Sequence, residues 1–228
     1  MIEFLFLDLD DTIFDFKAQE EVAIAKALRG AGVEPTEAVV DRYSKINRKL
    51  WMGMEKGEYT REQVLFGRFE ILFEELDVQA EAKKTAVAYM DHLAEGYFFL
   101  PGAEDAVKAL HKKYRLFIAS NGTAKVQESR MKSADIEKYF ERVFISQHIG
   151  FNKPAKEFFD YCFANIEGFD PKKAMIVGDS PSSDIHGGQN AGILTCWINP
   201  TGRAYTREVP PDYEIESLAR LEGLLESL

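Results

Sequence analysis

The stretch EFLFLDLDDT, residues 3–12, is an apolar run that ends abruptly on three acidic side chains, Asp8, Asp10 and Asp11. Residues 3–7 show no polar/apolar alternation, which suits a short strand buried on both faces, as in a parallel sheet. Similar runs recur at 115–119 (RLFIA), 143–146 (VFIS), 174–177 (AMIV) and 194–198 (LTCWI). Helical patterns lie between them. One follows PGAEDA, with Glu104 and Asp105 in its first turn and Val107, Leu110 and His111 on its face. A second, 123–133, follows Thr123 as a candidate N-cap. A third, 155–165, opens just after Pro154, and a fourth, 183–191, begins at Ser183 or Asp184. Strand and helix alternating at this spacing predict βαβ units and a doubly wound α/β sheet.

Residues 17–96 break that rhythm, because they hold no convincing strand. Val22, Ala25, Leu28 and Arg29, then Val39, Tyr43, Ile46 and Leu50, then Val64, Phe69, Leu72 and Leu76 recur at three and four, and a last helix is expected over about 79–95. Breaks are expected at Gly30–Gly32, Gly53–Gly57 and near Asp77. The chain therefore divides into an α/β core, 1–14 plus 99–228, and a helical insert, 15–98.

Composition excludes several classes. The 38 acidic side chains exceed the 28 basic ones, so the formal net charge is −10, and no Lys/Arg-rich run restores a footprint for nucleic acid. No apolar run approaches the ~20 residues of a membrane span. The start lacks the basic region and cleavage site of a signal peptide, and a cytoplasmic location is expected. Cys162 and Cys196 have no metal-type spacing and are expected to be buried and reduced. His92, His111, His148 and His186 share no metal spacing either, and the basic loop 201–207 (TGRAYTR) reads as solvated.

Four loops at strand ends carry chemistry. Ligands bind beyond the carboxyl ends of the strands in an open α/β sheet. Asp8 and Asp10 sit there after the first strand, and close carboxylates repel unless a cation or substrate exploits them. Gly178-Asp179-Ser180-Pro181-Ser182-Ser183-Asp184 follows the strand at 174–177. If the two strands are neighbours, Asp179 and Asp184 face Asp8 and Asp10. Such a set of hard oxygen ligands is the Mg²⁺ pattern, and neither loop holds the His or Cys that zinc prefers. Ser120-Asn121-Gly122-Thr123 closes another strand, where a hydroxyl, an amide and backbone N–H groups either bind an oxyanion or cap a helix. Lys153 precedes Pro154, which imposes an extended conformation on it; a lone Lys there is otherwise a solvated charge.

Taken in order, Asp-x-Asp, Ser, Lys and Gly-Asp at the ends of successive strands resemble the haloacid dehalogenase-like hydrolase superfamily. The resemblance spans the whole chain, since the helical insert falls where that family places a cap. It implies a Rossmann-like core with an inserted all-helical cap domain that closes over the site. It implies that Asp8 is the nucleophile, forming an aspartyl phosphate, and that Asp10 is the general acid and base, kept protonated near neutral pH by a nearby carboxylate. Ser120 and Lys153, with Asn121 and Gly122, would hold the phosphoryl oxygens. Asp8, the Asp10 carbonyl and Asp179 would hold Mg²⁺, with Asp184 either joining them or bracing Lys153.

Within the family, the dehalogenase branch lacks the second aspartate, because a halide needs no proton. Asp10 is present here, so phosphate chemistry is expected. The hexose-phosphate mutase branch carries a His soon after the first motif, and residues 13–30 contain none. DLDDTIFDF, SNG and GDSPSSDIHGGQNAGILTCWIN resemble the pyrimidine 5′-nucleotidase branch, with sugar-phosphate and phosphoglycolate phosphatases as alternatives. The expected partner is a small phosphorylated metabolite, and the expected state a monomer or homodimer. The stretch Trp51-Met52-Gly53-Met54-Glu55-Lys56-Gly57 is the first candidate for substrate specificity in the cap, with Trp51 as a core anchor the alternative.

Overall fold

The structure is a computed structural model describing residues 1–228. It divides into two compact units, residues 1–16 with 98–228, and residues 17–97.

The first unit is built on a six-stranded sheet: β1 (Phe4–Leu7), β2 (Arg115–Ser120), β3 (Arg142–Ile145), β4 (Ala174–Gly178), β5 (Leu194–Ile198) and β6 (Tyr213–Ile215). All neighbours are parallel, in the order β3-β2-β1-β4-β5-β6. β1 and β4 are buried along their whole length, as uninterrupted apolar runs require. Leu7 pairs with Ile118 on one side and Val177 on the other, so β1, β2 and β4 end side by side. The chain builds outward from β1 through β2 to β3 and then returns to the other side of β1. The crevice at such a reversal, beyond the strand ends, is where this architecture binds ligands.

Phe4 and Phe6 point to one face of the sheet with Phe117, Ala119 and Ile176, where they pack on Phe158, Phe159 and Cys162. Both cysteines are buried and free. The strand expected at 143–146 begins one residue earlier and gives Ser146 to a short helix. β6 had no apolar signature, since its YEI is half-buried and carries a charge.

The second unit contains four helices: α1 (Phe16–Gly30, its first residue in the other unit), α2 (Glu37–Glu55), α3 (Arg61–Glu75) and α4 (Ala82–Ala94). Thr36 caps α2 through Val39 N, and Thr60 forms a reciprocal capping box with Gln63 on α3. One reading is narrowed and another corrected. The break expected at Gly53–Gly57 falls in its second half, since α2 ends at Glu55 and Gly57 turns at φ 77°; Gly53 itself lies inside the helix, where a Cβ would stand 2.4 Å from the Tyr59 ring. The buried face of α1 is Gln19, Glu20, Ala23, Ile24, Ala27 and Leu28, while Val22 is exposed. Periodicity misses that face because two of its members are polar. Gln19 donates to the carbonyl of Leu93 at 3.3 Å, and Glu20 accepts from Asn47 at 2.7 Å and Ser44 at 2.9 Å. Arg68 completes the set, bonding Asn47 at 2.9 Å and lying 4.6 Å over the Tyr89 ring.

The first unit's helices are α5 (Ala103–Leu110), α6 (Ala124–Ser133), α7 (Ser146–Ile149), α8 (Lys156–Ala164), α9 (His186–Ala191, behind a π-helical turn over Pro181–Ile185) and α10 (Leu221–Glu226). His111 lies just past the end of α5 and is exposed, so it is not part of that helix's buried face. No helix is long and apolar enough to cross a membrane.

Two glycines offer opposite tests of this packing. At Gly188 in α9 a Cβ would come within 2.5 Å of Ile176 and 2.7 Å of Thr195, so Gly188→Ala is overpacked. It should lose about 1–3 kcal/mol and melt some 2–4 °C lower per kcal/mol. At Gly67, inside α3, a Cβ meets nothing within 4 Å, and Gly67→Ala should gain ~0.5–1 kcal/mol. Thermal and denaturant unfolding of the pair check both signs.

Candidate active site

The strand ends assemble the site. Asp8 continues β1, its N–H donating to Val177 O at 3.0 Å. Its carboxylate meets the ammonium of Lys153, with Nζ 2.7 Å from Asp8 Oδ1. Lys153 is 1% exposed, so the alternative of a solvated charge is set aside. The same ammonium stands 2.6 Å from Asp184 Oδ1 and also donates to Ala119 O in β2. Asp184 is itself fully buried, and its Oδ2 accepts from Ser180 N at 3.0 Å. Gly178 is glycine for a reason visible here: a Cβ would lie 2.2 Å from Asp184 Oδ2.

Asp8, Asp179 and Asp184 bring their carboxylate oxygens within 4.8 Å of one another. Asp179 is held through its backbone, whose carbonyl accepts from Trp197 Nε1 at 2.9 Å. Burial pushes the Asp8 carboxyl up to about 7, against Lys153 and with help from Asp184 and Asp10. Burial, with Asp184, Asp8 and Asp11 adding, holds Asp179 well above the carboxylate range, while Arg203 opposes. Burial alone would weaken the Lys153 ammonium, but Asp184 and Asp8 more than offset it and hold the group above the ordinary lysine range. One ammonium against three carboxylates leaves the cluster short of positive charge. Its donor set is oxygen only, with neither His nor Cys, and it fits a hard divalent cation such as Mg²⁺.

The side chain of Asp10 lies outside this group, which corrects any reading of it as a carboxylate ligand. It is bonded instead to Arg130 Nη1, 2.5 Å from Oδ1, and to Gln127 Nε2, 2.6 Å from Oδ2. Asp10 thus keeps the Asp8 carboxylate as a neighbour and is held besides by a guanidinium and a carboxamide.

Ser120, at the end of β2, is 1% exposed, and its Oγ accepts from Gly122 N at 3.1 Å and Gln127 Nε2 at 3.0 Å. The Asn121 carboxamide is engaged at both ends with the Lys153 backbone: Nδ2 donates to Lys153 O, and Oδ1 accepts from Lys153 N, each at 2.8 Å. Its side chain thus holds the loop that carries Lys153, rather than offering its amide to a ligand. Thr123 makes no side-chain cap on α6; Gln147 of α7 accepts from Ala124 N instead, at 2.9 Å. In the basic loop, Arg203 is exposed, as expected, and lies 5.6 Å over the Trp197 ring.

Gln127 and Arg130 are the residues that motif reading passes over. They sit three apart on α6, buried beside Ala124, Val126 and Met131. The one signal available is two long polar side chains on the face of a helix that should be apolar.

A family model described as haloacid dehalogenase-like hydrolase matches residues 2–192. The pyrimidine 5′-nucleotidase PynA of Streptococcus pneumoniae is 34% identical over 225 residues, covering 98% of this chain and 95% of the relative. The pyrimidine 5′-nucleotidase YjjG of Escherichia coli is 32% identical over 223 residues, covering 98% and 97%. Among solved structures, the HAD-hydrolase YfnB of Bacillus subtilis, determined bound to magnesium, superposes with a TM-score of 0.94 at 35% identity, covering 98% of each chain.

The raised proton affinity of Asp8 sets a pH dependence. The folded chain keeps a proton there that the unfolded chain releases near 3.8, so stability falls as pH rises from that value toward about 7. Asp8→Asn removes the loss. In chelator, the variant should melt no higher than wild type at about pH 4.5 and several degrees higher at about pH 8, with Mg²⁺ narrowing the gap. Thermal melts across that range check it; a gap independent of pH would contradict it.

Proposed function

The chain belongs to the haloacid dehalogenase-like hydrolase family, and on that footing we propose that it is a Mg²⁺-dependent phosphomonoesterase acting on nucleoside 5′-monophosphates through an aspartyl phosphate. The observation that carries the chemistry is the buried contact of Asp8 with Lys153 at 2.7 Å, with a second aspartate, Asp10, two residues on. The substrate class is supported by two relatives matched over nearly their whole length, both pyrimidine 5′-nucleotidases.

In the first step a carboxylate oxygen of Asp8 attacks phosphorus. The bond to the ester oxygen breaks, and Asp10, which enters this step protonated, passes its proton to the leaving alkoxide and is left as the carboxylate. In the second step Asp10 takes a proton from water, the water oxygen attacks phosphorus, and the bond to Asp8 breaks to release phosphate. Lys153 fixes the orientation of Asp8 and offsets charge on the phosphoryl group, and Ser120 offers a hydroxyl to its oxygens. Asp8, Asp179 and Asp184 would hold the cation, which neutralises phosphoryl charge and favours the ionised carboxylates. Asp184 also braces Lys153, so the two roles left open for it are compatible. The core unit carries all of this chemistry, so we assign discrimination among substrates to the helical unit, the inserted cap.

Asp8→Asn should lower turnover by at least about 10³-fold while leaving the circular dichroism spectrum unchanged. Undiminished phosphate release by that variant would sink the mechanism. A panel of nucleotides, sugar phosphates and phosphoglycolate, compared as kcat/KM, should favour pyrimidine nucleoside 5′-monophosphates by about tenfold or more. A preference for sugar phosphates would overturn the substrate assignment alone. Chelation should abolish activity and added Mg²⁺ restore it.

A further inference from the structure

We propose that Gln127 and Arg130 of α6 are positioning residues that hold Asp10 in place for proton transfer and register it against Ser120; the proposal rests on the phosphomonoesterase reading. The geometry is specific. Each oxygen of Asp10 accepts one hydrogen bond, Oδ1 from Arg130 Nη1 at 2.5 Å and Oδ2 from Gln127 Nε2 at 2.6 Å, and keeps a second lone pair for the transferred proton. The same Nε2 donates to Ser120 Oγ at 3.0 Å, and Gln127 Oε1 accepts from Arg130 Nη1 at 2.9 Å. Every hydrogen-bonding atom of the Gln127 carboxamide is thus used, and its orientation is chemically determined. A flipped amide would turn its oxygen on a carboxylate and its NH₂ on a guanidinium.

Packing alone does not explain this arrangement. Arg130 is 0% exposed, and its Nε and Nη2 find no hydrogen-bond partner. Burying a guanidinium with idle donors costs stability that an apolar side chain would not. Its compensations all lie at one place: the ion pair to Asp10, and the ring of Phe14, 4.9 Å beneath the guanidinium and bridged through its backbone to Asp10. Gly122 serves the same assembly, since a Cβ there would lie 2.3 Å from Gln127 Nε2. One helix face therefore links the proton carrier of the first loop to the hydroxyl of the second.

Leaving-group chemistry separates positioning from general support of the fold. An alkyl phosphate needs a proton on its departing oxygen, whereas p-nitrophenyl phosphate releases a stable phenolate without one. For either ester kcat/KM covers events only up to departure of the leaving group, so breakdown of the aspartyl phosphate does not enter. With Gln127→Leu and Arg130→Met, kcat/KM for a nucleoside 5′-monophosphate should fall by at least about tenfold relative to that for p-nitrophenyl phosphate. Asp10→Ala sets the limit, a relative loss of about 10²–10⁴. Arg130→Lys, whose stem fills the same space as Met but keeps a cationic donor, should recover much of the selectivity. Equal loss on both esters, an unchanged ratio, or Lys no better than Met would overturn the proposal while leaving the phosphatase reading intact. Should Arg130→Met not fold, the ratio measured with Gln127→Leu decides the question by itself. A wild-type enzyme inert toward both esters would overturn both.

Discussion

The ammonium of Lys153, shut away from water between Asp8 and Asp184, is the contact on which the arrangement of this core depends. A buried charge is tolerated only when paired and hydrogen-bonded. Here the partners come from three places in the sheet: Asp8 follows β1, Asp184 lies in the turn behind β4, and the Ala119 carbonyl belongs to β2. Asn121, just past β2, grips the lysine's own backbone from the side. The set closes only if β2, β1 and β4 are adjacent and end level, which the register provides. Buried ion pairs of this kind add little net stability; what they supply is a fixed orientation for the groups they hold.

The same contact answers a difficulty of charge. With a net charge of −10, the protein's overall field repels an anionic substrate. A local reversal of sign has to come from few groups. Lys153 is one, already shared by two carboxylates. The start of α6 contributes less than its position suggests, because Gln147 takes the N–H of Ala124. Arg130 is committed to Asp10. The carboxylates that remain, with raised proton affinities at Asp8 and Asp179, form a cluster that could hold a cation, and a cation held there would add the positive charge the anion-binding face lacks.

Much of this is legible in the sequence. The apolar runs locate β1 to β5 within a residue or two, because a strand buried on both faces has to be apolar throughout. The helical insert is legible from its spacing. Failures cluster where polar side chains are buried. Gln19 and Glu20 in α1, Arg68 in α3, and Gln127 and Arg130 in α6 all sit on inward faces. A periodicity argument treats each as a sign of the outside. Of the two glycines at the end of α2, Gly57 makes the turn and Gly53 admits the Tyr59 ring, a division of roles that the sequence does not show.

The amino-acid sequence by itself determined which chemical groups stand at the ends of which strands: carboxylates after β1 and β4, a hydroxyl after β2, a lysine before α8. Those are properties of short segments, set by local preference and hydrophobic pattern. Only the tertiary structure decided who meets whom. Asp10 stands near the Asp8 carboxylate, yet its own oxygens are held by a guanidinium and a carboxamide from a distant helix. Asn121 could have offered its amide to a ligand, and it clamps a backbone. Asp184 could have coordinated or braced, and it grips Lys153 while staying in the metal-competent cluster. Partner choice depends on strand order and burial, which join residues far apart in the chain, and no local pattern encodes that distance.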